Sequence, residues 1–212
     1  MKETEQIQQW AGEFGKQYTD RNFMTLDEME NLWKGNYGFT RSYMNELFLN
    51  EIPLDVKLLE VGSNVGNQLL CLQKAGFKNL YGIELQWYAV EMSKSRTKHI
   101  NIVQSSAFDI PFKDQYFDIV FTSGLLIHIA PNDINNVLDE IYRCSKRFIW
   151  GAEYYYDQYI NVVYREKNAL MWKGNFSKMF LDRFKDLYLV KEEFMKYLNN
   201  DNVDVMYLLE KD

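Results

Sequence analysis

The chain has 212 residues, enough for one domain with a small elaboration. Hydrophobic residues make up 47% and charged residues 25%, so a sizeable core can form and disorder is excluded as the main state. A net charge of −6, without a long basic run, argues against nucleic acid as a partner, because phosphate contacts need clustered Lys and Arg.

The opening segment Met1-Lys-Glu-Thr-Glu-Gln-Ile-Gln-Gln-Trp10 is polar and lacks the apolar centre of a signal peptide. Ile7, Trp10, Ala11 and Phe14 recur at helical spacing and predict an amphipathic helix over residues 3–18. A polar stretch follows at 19–22. Tyr43, Met44, Leu47 and Phe48 predict a second helix over 39–50, closed by Pro53. Residues 1–53 thus read as a helical cap, and 54–212 as the core of the same single domain.

From residue 56 the pattern changes. Short apolar runs at 56–61, 80–83, 100–103, 117–122 and 147–151 predict five strands. Helical spacing between them predicts helices from Val65 to about Gly76, over 86–97 and over 132–144. Such alternation implies βαβ units, and right-handed crossovers make the sheet doubly wound and mostly parallel. The tail predicts a helix over 177–184 and strands near 187–192 and 203–209, which suit an antiparallel hairpin at the sheet edge. The expected fold is therefore α/β and Rossmann-like, with N-terminal helices and a C-terminal edge hairpin. Cys71 and Cys144 fall in helical segments without zinc spacing, so neither a metal site nor a disulfide framework is expected. No window approaches the roughly 18 apolar residues of a membrane span, so the expected location is the cytoplasm.

The segment Leu58-Leu-Glu-Val-Gly-Ser-Asn-Val-Gly66 carries the strongest functional signal. A buried strand delivers Glu60 at its carboxyl end. Gly62 lets the backbone turn and approach a ligand, and Gly66 opens the next helix. Open α/β sheets bind ligands in the crevice outside these strand ends. The dinucleotide fingerprint needs glycines where Asn64 and Asn67 stand, which disfavours NAD. Glu84 ends the second strand, 24 positions after Glu60. An acid placed there accepts hydrogen bonds from ribose hydroxyls, as in nucleoside-binding folds generally.

The third strand leads into Val103-Gln-Ser-Ser-Ala-Phe-Asp-Ile-Pro-Phe112, followed by Tyr116-Phe-Asp-Ile-Val120. Together with the glycine loop, this pattern resembles the class I S-adenosylmethionine-dependent methyltransferases. The resemblance implies S-adenosylmethionine as cofactor. It places Glu60 at the methionine ammonium, with Gly62, Ser63, Asn64 and Gly66 in the loop. Glu84 and Leu85 would stand at the ribose, Ser106, Ala107 and Phe108 around the adenine, and Ser123 after strand four. Ser106 stands where the family commonly has an acid, and Asn64 where it commonly has glycine. Asp109 reads as a turn residue. Thr122-Ser-Gly-Leu-Leu-Ile-His128-Ile-Ala-Pro131 would form a wall beside the methyl donor, with His128 as a candidate base; His99 reads as structural.

Glu5-Gln-Ile-Gln-Gln-Trp-Ala-Gly-Glu-Phe-Gly15, Leu126-Ile-His-Ile-Ala-Pro131, Ala152-Glu-Tyr-Tyr-Tyr156 and Val163-Tyr-Arg165 together resemble the pseudaminic acid biosynthesis-associated methyltransferases. That resemblance implies bacterial surface-sugar biosynthesis and a small, anionic sugar acceptor. Tyr154 and Tyr155 leave strand five, where an acceptor is expected, and aromatic faces suit a sugar. From Arg165 to Lys185 six basic residues (Arg165, Lys167, Lys173, Lys178, Arg183, Lys185) face two acidic ones, which marks Arg165 and Lys173 as candidate anion contacts. Glu153 is the second candidate base. The competing readings are a methyltransferase of another small-molecule pathway, a non-catalytic S-adenosylmethionine-binding protein and, most remotely, a dehydrogenase.

Overall fold

The computed structural model describes residues 4–166 and 168–212. Glu3, the first residue of the expected N-terminal helix, and Lys167, one of the basic residues counted above, lie outside the described residues.

Four helices come first: α1 (Glu5–Ala11), α2 (Glu13–Arg21), α3 (Leu26–Tyr37) and α4 (Arg41–Leu49). The single helix expected over 3–18 is broken at Gly12, whose N–H donates to the carbonyls of Gln8 and Gln9. The chain then doubles back so tightly that a Cβ on Gly15 would lie 1.8 Å from the Trp10 carbonyl oxygen. Apolar spacing alone does not register such a break, because Phe14 stays in phase with Ile7 and Trp10. Helix α3 was not expected from apolar periodicity. Its signal is a capping box: the Glu28 N–H donates to Thr25 Oγ1, and the Thr25 N–H donates back to Glu28 Oε2. Gly38, left-handed at φ 86°, ends it.

The core then alternates as expected: β1 (Lys57–Val61), α5 (Asn67–Lys74), β2 (Asn79–Glu84), α6 (Trp87–Arg96), β3 (Ile100–Gln104), β4 (Phe117–Ser123), a 3-10 turn (Leu126–His128), α7 (Ile134–Cys144) and β5 (Ser145–Tyr154). Two short strands, β6 (Ile160–Asn161) and β7 (Trp172–Lys173), pair with each other. Helix α8 (Phe176–Arg183) and strands β8 (Leu187–Lys196) and β9 (Val203–Lys211) close the chain.

The main sheet has the order β3-β2-β1-β4-β5-β9-β8. The first five strands are parallel, and β9 runs antiparallel between β5 and the edge strand β8. The strand order reverses between β1 and β4, and ligands of doubly wound sheets bind at such a switch point.

Alternation along β1 sends Leu59 and Val61 to one face, and Leu58 and Glu60 to the other. The first face packs with Val137, Leu138 and Ile141 of α7 and Phe176 and Phe180 of α8. On the second face Leu58 shares a cluster with Leu69 and Leu72 of α5 and with Tyr37, Met44 and Phe48 of the cap. The cap is thus built into one of the two cores. Trp150 and Phe121 lie in that cluster with their rings 5.0 Å apart, so the cap covers the largest buried aromatic group on that face. Among the described residues, no helix is long and apolar enough to cross a membrane.

Candidate functional site

A cavity of about 280 Å³ opens at the carboxyl ends of β1, β2 and β4 and is roofed by α1–α4. Its floor is the loop after β1. Gly62 and Gly66 adopt φ of 76° and 80°, and Asn64 joins them in the left-handed region at φ 47°. Asparagine is among the few non-glycine residues that tolerate this conformation, so it serves where glycine is commoner. Gly62 is further constrained because a Cβ would lie 2.7 Å from Leu125 Cδ1.

Glu84 is held at both ends. Its Oε2 accepts from the Asn64 N–H and its Oε1 from the Gln86 N–H, each at 2.8 Å. Burial raises its pKa, and the hydrogen bonds from the backbone of Gln86, Asn64 and Leu85 oppose that shift. The carboxylate has about four acceptor sites, so these backbone bonds leave room for a ligand hydroxyl. Glu60 is different. It is buried, and its Oε2 has no hydrogen-bond partner. Burial pushes its pKa well above the usual carboxylate range, with the Arg41 charge acting against that push. Ser63 Oγ and Asn64 Oδ1 are likewise buried and unpartnered. A loop bearing several unsatisfied polar atoms beside a cavity fits a polar ligand such as the amino-acid end of S-adenosylmethionine.

Further along the cavity lie Leu85, Ser106, Ala107, Phe108 and Ser123. The Phe108 N–H donates to Ser106 Oγ at 3.2 Å, and an isolated bridge between Ser106 and Asp109 closes the turn. Of the residues assigned from sequence to the cofactor, only Gly66 does not line the cavity; it caps α5 from behind the loop.

His128 lines the same cavity, in the 3-10 turn after β4. Its Nδ1 lies 2.8 Å from the Leu170 carbonyl oxygen. A carbonyl only accepts, so Nδ1 carries the proton and Nε2 presents a lone pair. Burial lowers its pKa to about 4, so the ring is neutral at pH 7. Trp10 of the cap covers it with ring centroids 4.3 Å apart, and Tyr18 stands 6.3 Å away. His99, just before β3, is exposed and does not line the cavity.

The other candidate base is placed differently. Glu153 is buried but does not line the cavity. It accepts the N–H groups of Leu125, Leu126 and Ile127 at 3.2, 3.2 and 3.5 Å. Burial pushes its pKa up to about 7 despite those bonds. Its place in the site is thus to hold the turn that carries His128.

The candidate acceptor residues also stand apart from the cavity. Tyr155 donates to Asp157 and packs on Phe194, 4.7 Å between centroids. Tyr154 packs on Tyr197, and the Lys173 ammonium lies 5.8 Å from its ring while donating to Asn202. Arg165 lies over Tyr164. Tyr154 is the last residue of β5, paired with Asp204 of β9, and does not line the cavity. The wall opposite the loop comes instead from the cap: Trp10, Tyr18, Met29, Trp33 and Arg41. Sequence reasoning missed this wall because it treated the cap as a separate elaboration. The capping box of α3 was the one signal that pointed to it.

Comparison with known proteins agrees with this geometry. Residues 59–147 match the family model described as a methyltransferase domain. No curated protein matches the chain. The fold is similar to that of a Pyrococcus horikoshii OT3 protein at 17% identity and a TM-score of 0.62, covering 81% of this chain and 90% of that one. It is also similar to the Burkholderia thailandensis 1,6-didemethyltoxoflavin-N1-methyltransferase, solved with S-adenosylhomocysteine, at 12% identity and a TM-score of 0.64, covering 80% and 76%. A third structure, the [4+2]-cyclase SpnF, is as similar, with 12% identity, a TM-score of 0.63 and 80% of both chains covered. At these identities the likeness shows the fold alone, and the reaction class comes from the family match. Residues 59–147 form a methyltransferase domain, and the chain is an S-adenosylmethionine-dependent methyltransferase with that compound as its cofactor.

Proposed function

We propose that the protein methylates an oxygen or nitrogen of a small acceptor, a sugar or nucleotide-activated sugar of the pseudaminic acid type used in bacterial surface glycans. The resemblance to the pseudaminic acid-associated methyltransferases supports the sugar class, because its words at 5–15 and 126–131 lie in the cap and in the turn beside the donor. The observation that carries the reading is the packing of Trp10 on His128, at 4.3 Å between centroids. It sets an aromatic wall beside a neutral imidazole at one end of the cofactor cavity. Aromatic faces suit the apolar faces of a sugar ring.

In this reading the cofactor brings an activated methyl group, so positioning and exclusion of water supply much of the rate. Glu84 and the loop at 62–66 fix the nucleoside. His128 would take the proton that the acceptor atom releases, at Nε2. Leu170 keeps the ring in the tautomer that this step needs. Glu153 positions the turn.

The test is to incubate the protein with isotopically labelled S-adenosylmethionine and a panel of nucleotide-activated and free sugar acids. Mass spectrometry should find a methylated product with one of them. Turnover with non-sugar small molecules, and none with the sugar panel, would overturn the sugar assignment.

A further inference from the structure

We infer that Arg41, on cap helix α4, is the carboxylate-binding residue of the cofactor cleft, facing Glu60 so that the two hold the oppositely charged ends of the cofactor's amino-acid tail. This rests on the reading of Glu60 as the ammonium holder.

The argument begins with the strand. Alternation along β1 puts Glu60 on the face of Leu58, which is the face covered by α4 and α5. Arg41 opens α4 and lines the same cavity as Glu60. Both residues are only 3% exposed. The Arg41 guanidinium is oriented by neutral groups: Nε donates to Gln68 Oε1 at 2.9 Å and to Asn45 Oδ1 at 3.2 Å. Gln68 Nε2 donates to the same Asn45 oxygen, which locks the two amides together. Trp33 supports the guanidinium at 4.5 Å from the ring centroid.

This cradle aims the side chain without neutralising it. Arg41 Nη2 is buried and has no partner, as is Glu60 Oε2. A buried polar group with an unmade hydrogen bond is costly, and the attraction between Arg41 and Glu60 offsets only part of that cost, because neither Nη2 nor Oε2 has its bond made. A free α-amino acid terminus resolves both, since it carries an ammonium and a carboxylate on one carbon. Arginine matches a carboxylate with a planar fork of donors, which a lysine does not.

The family match begins at residue 59, so Arg41 lies outside it. The cap thereby completes the cofactor site.

The test is calorimetric titration of wild type, Arg41→Met, Arg41→Lys and Glu60→Gln with three ligands. S-adenosylhomocysteine carries both charged groups, its decarboxylated analogue keeps only the ammonium, and methylthioadenosine has neither. Arg41→Met should weaken S-adenosylhomocysteine by roughly 10- to 100-fold, the loss expected for a charge-assisted contact, and leave the other two ligands nearly unchanged. Arg41→Lys, which keeps the charge, should fall between and carries the test should Arg41→Met fail to melt cooperatively. Equal weakening of all three ligands would overturn the proposal, because it would mean general damage to the cleft. Unchanged affinity for S-adenosylhomocysteine, with a raised KM for a carboxylate-bearing acceptor, would move Arg41 to the acceptor and also overturn it. Glu60→Gln should weaken both ammonium-bearing ligands and spare methylthioadenosine. If it does not, the reading of Glu60 falls, while the carboxylate preference measured with Arg41 stands or fails separately.

Discussion

The Asn64 amide donates to Glu84 Oε2 at 2.8 Å, so the acid that ends β2 also fixes the loop that follows β1. On the proposed reading one side chain has two tasks, to meet the ligand and to set the backbone that meets the ligand's other end.

Replacing Glu84 should disturb both tasks. Glu84→Ala should weaken S-adenosylhomocysteine by at least the about 1.5–3 kcal/mol of a charge-assisted contact, or roughly tenfold to a hundredfold. Glu84→Gln keeps an acceptor for only one of the two backbone N–H groups and should fall between. Circular dichroism should show the fold intact in both. An unchanged dissociation constant in Glu84→Ala would remove Glu84 from the site.

The cap is tied to the same region through Gln86. Its Nε2 donates to the carbonyls of Ala11 and Gly12, both at 2.9 Å, where α1 meets α2. Gln86→Ala would leave those carbonyls without their donor, at a cost of about 1–3 kcal/mol. Amide hydrogen exchange should accelerate over residues 5–21 and stay constant in β1, β4 and β5. Uniform acceleration across the chain would mean that Gln86 supports the whole fold and not the cap junction.

Much of the core was legible in the sequence, and the reason is local. Leu58 to Gly66 states a buried strand, a turn and a helix start within nine residues, and each step has its own chemistry. The acids Glu60 and Glu84 could be placed because a strand end is easy to locate from its apolar run. The acceptor wall could not. Tyr154 and Tyr155 stand at the end of strand five in sequence, but neither lines the cavity, and Tyr154 is paired with Asp204 of β9. That pairing joins residues some fifty positions apart, and no local pattern reveals it. Arg41 escaped notice for the same reason, since its partners Asn45 and Gln68 come from two helices. Glu153 was read as a base because a buried acid at a strand end looks alike whether it meets ligand or backbone.

His128 offers a test that separates chemistry from architecture. His128→Asn keeps a donor near the Nδ1 position for the Leu170 carbonyl and removes the Nε2 lone pair. Turnover should drop about 10²- to 10⁴-fold, the usual range for general acid–base work, with S-adenosylhomocysteine affinity unchanged. A wild-type melting temperature with a wild-type rate would remove His128 from the chemistry.

The pH dependence of His128 follows from its burial. Its pKa is lowered from 6.5 to about 4 in the folded chain, so the unfolded chain binds the extra proton first. Its contribution to stability is complete above pH 6.5 and is lost as pH falls towards 4, by on the order of 3 kcal/mol. The acid limb of the rate should sit correspondingly low. An acid limb centred near 6.5 would place a different group, or an exposed His128, in the rate equation.

The measurement that bears most directly on the central claim is calorimetric titration of the purified protein with S-adenosylhomocysteine and, separately, with NAD. The cleft built by Glu60, the loop at 62–66 and Glu84 predicts saturable one-to-one binding of S-adenosylhomocysteine and none of NAD, because the dinucleotide glycines are replaced by Asn64 and Asn67. Saturation by NAD, with no heat from S-adenosylmethionine or S-adenosylhomocysteine, would contradict the account.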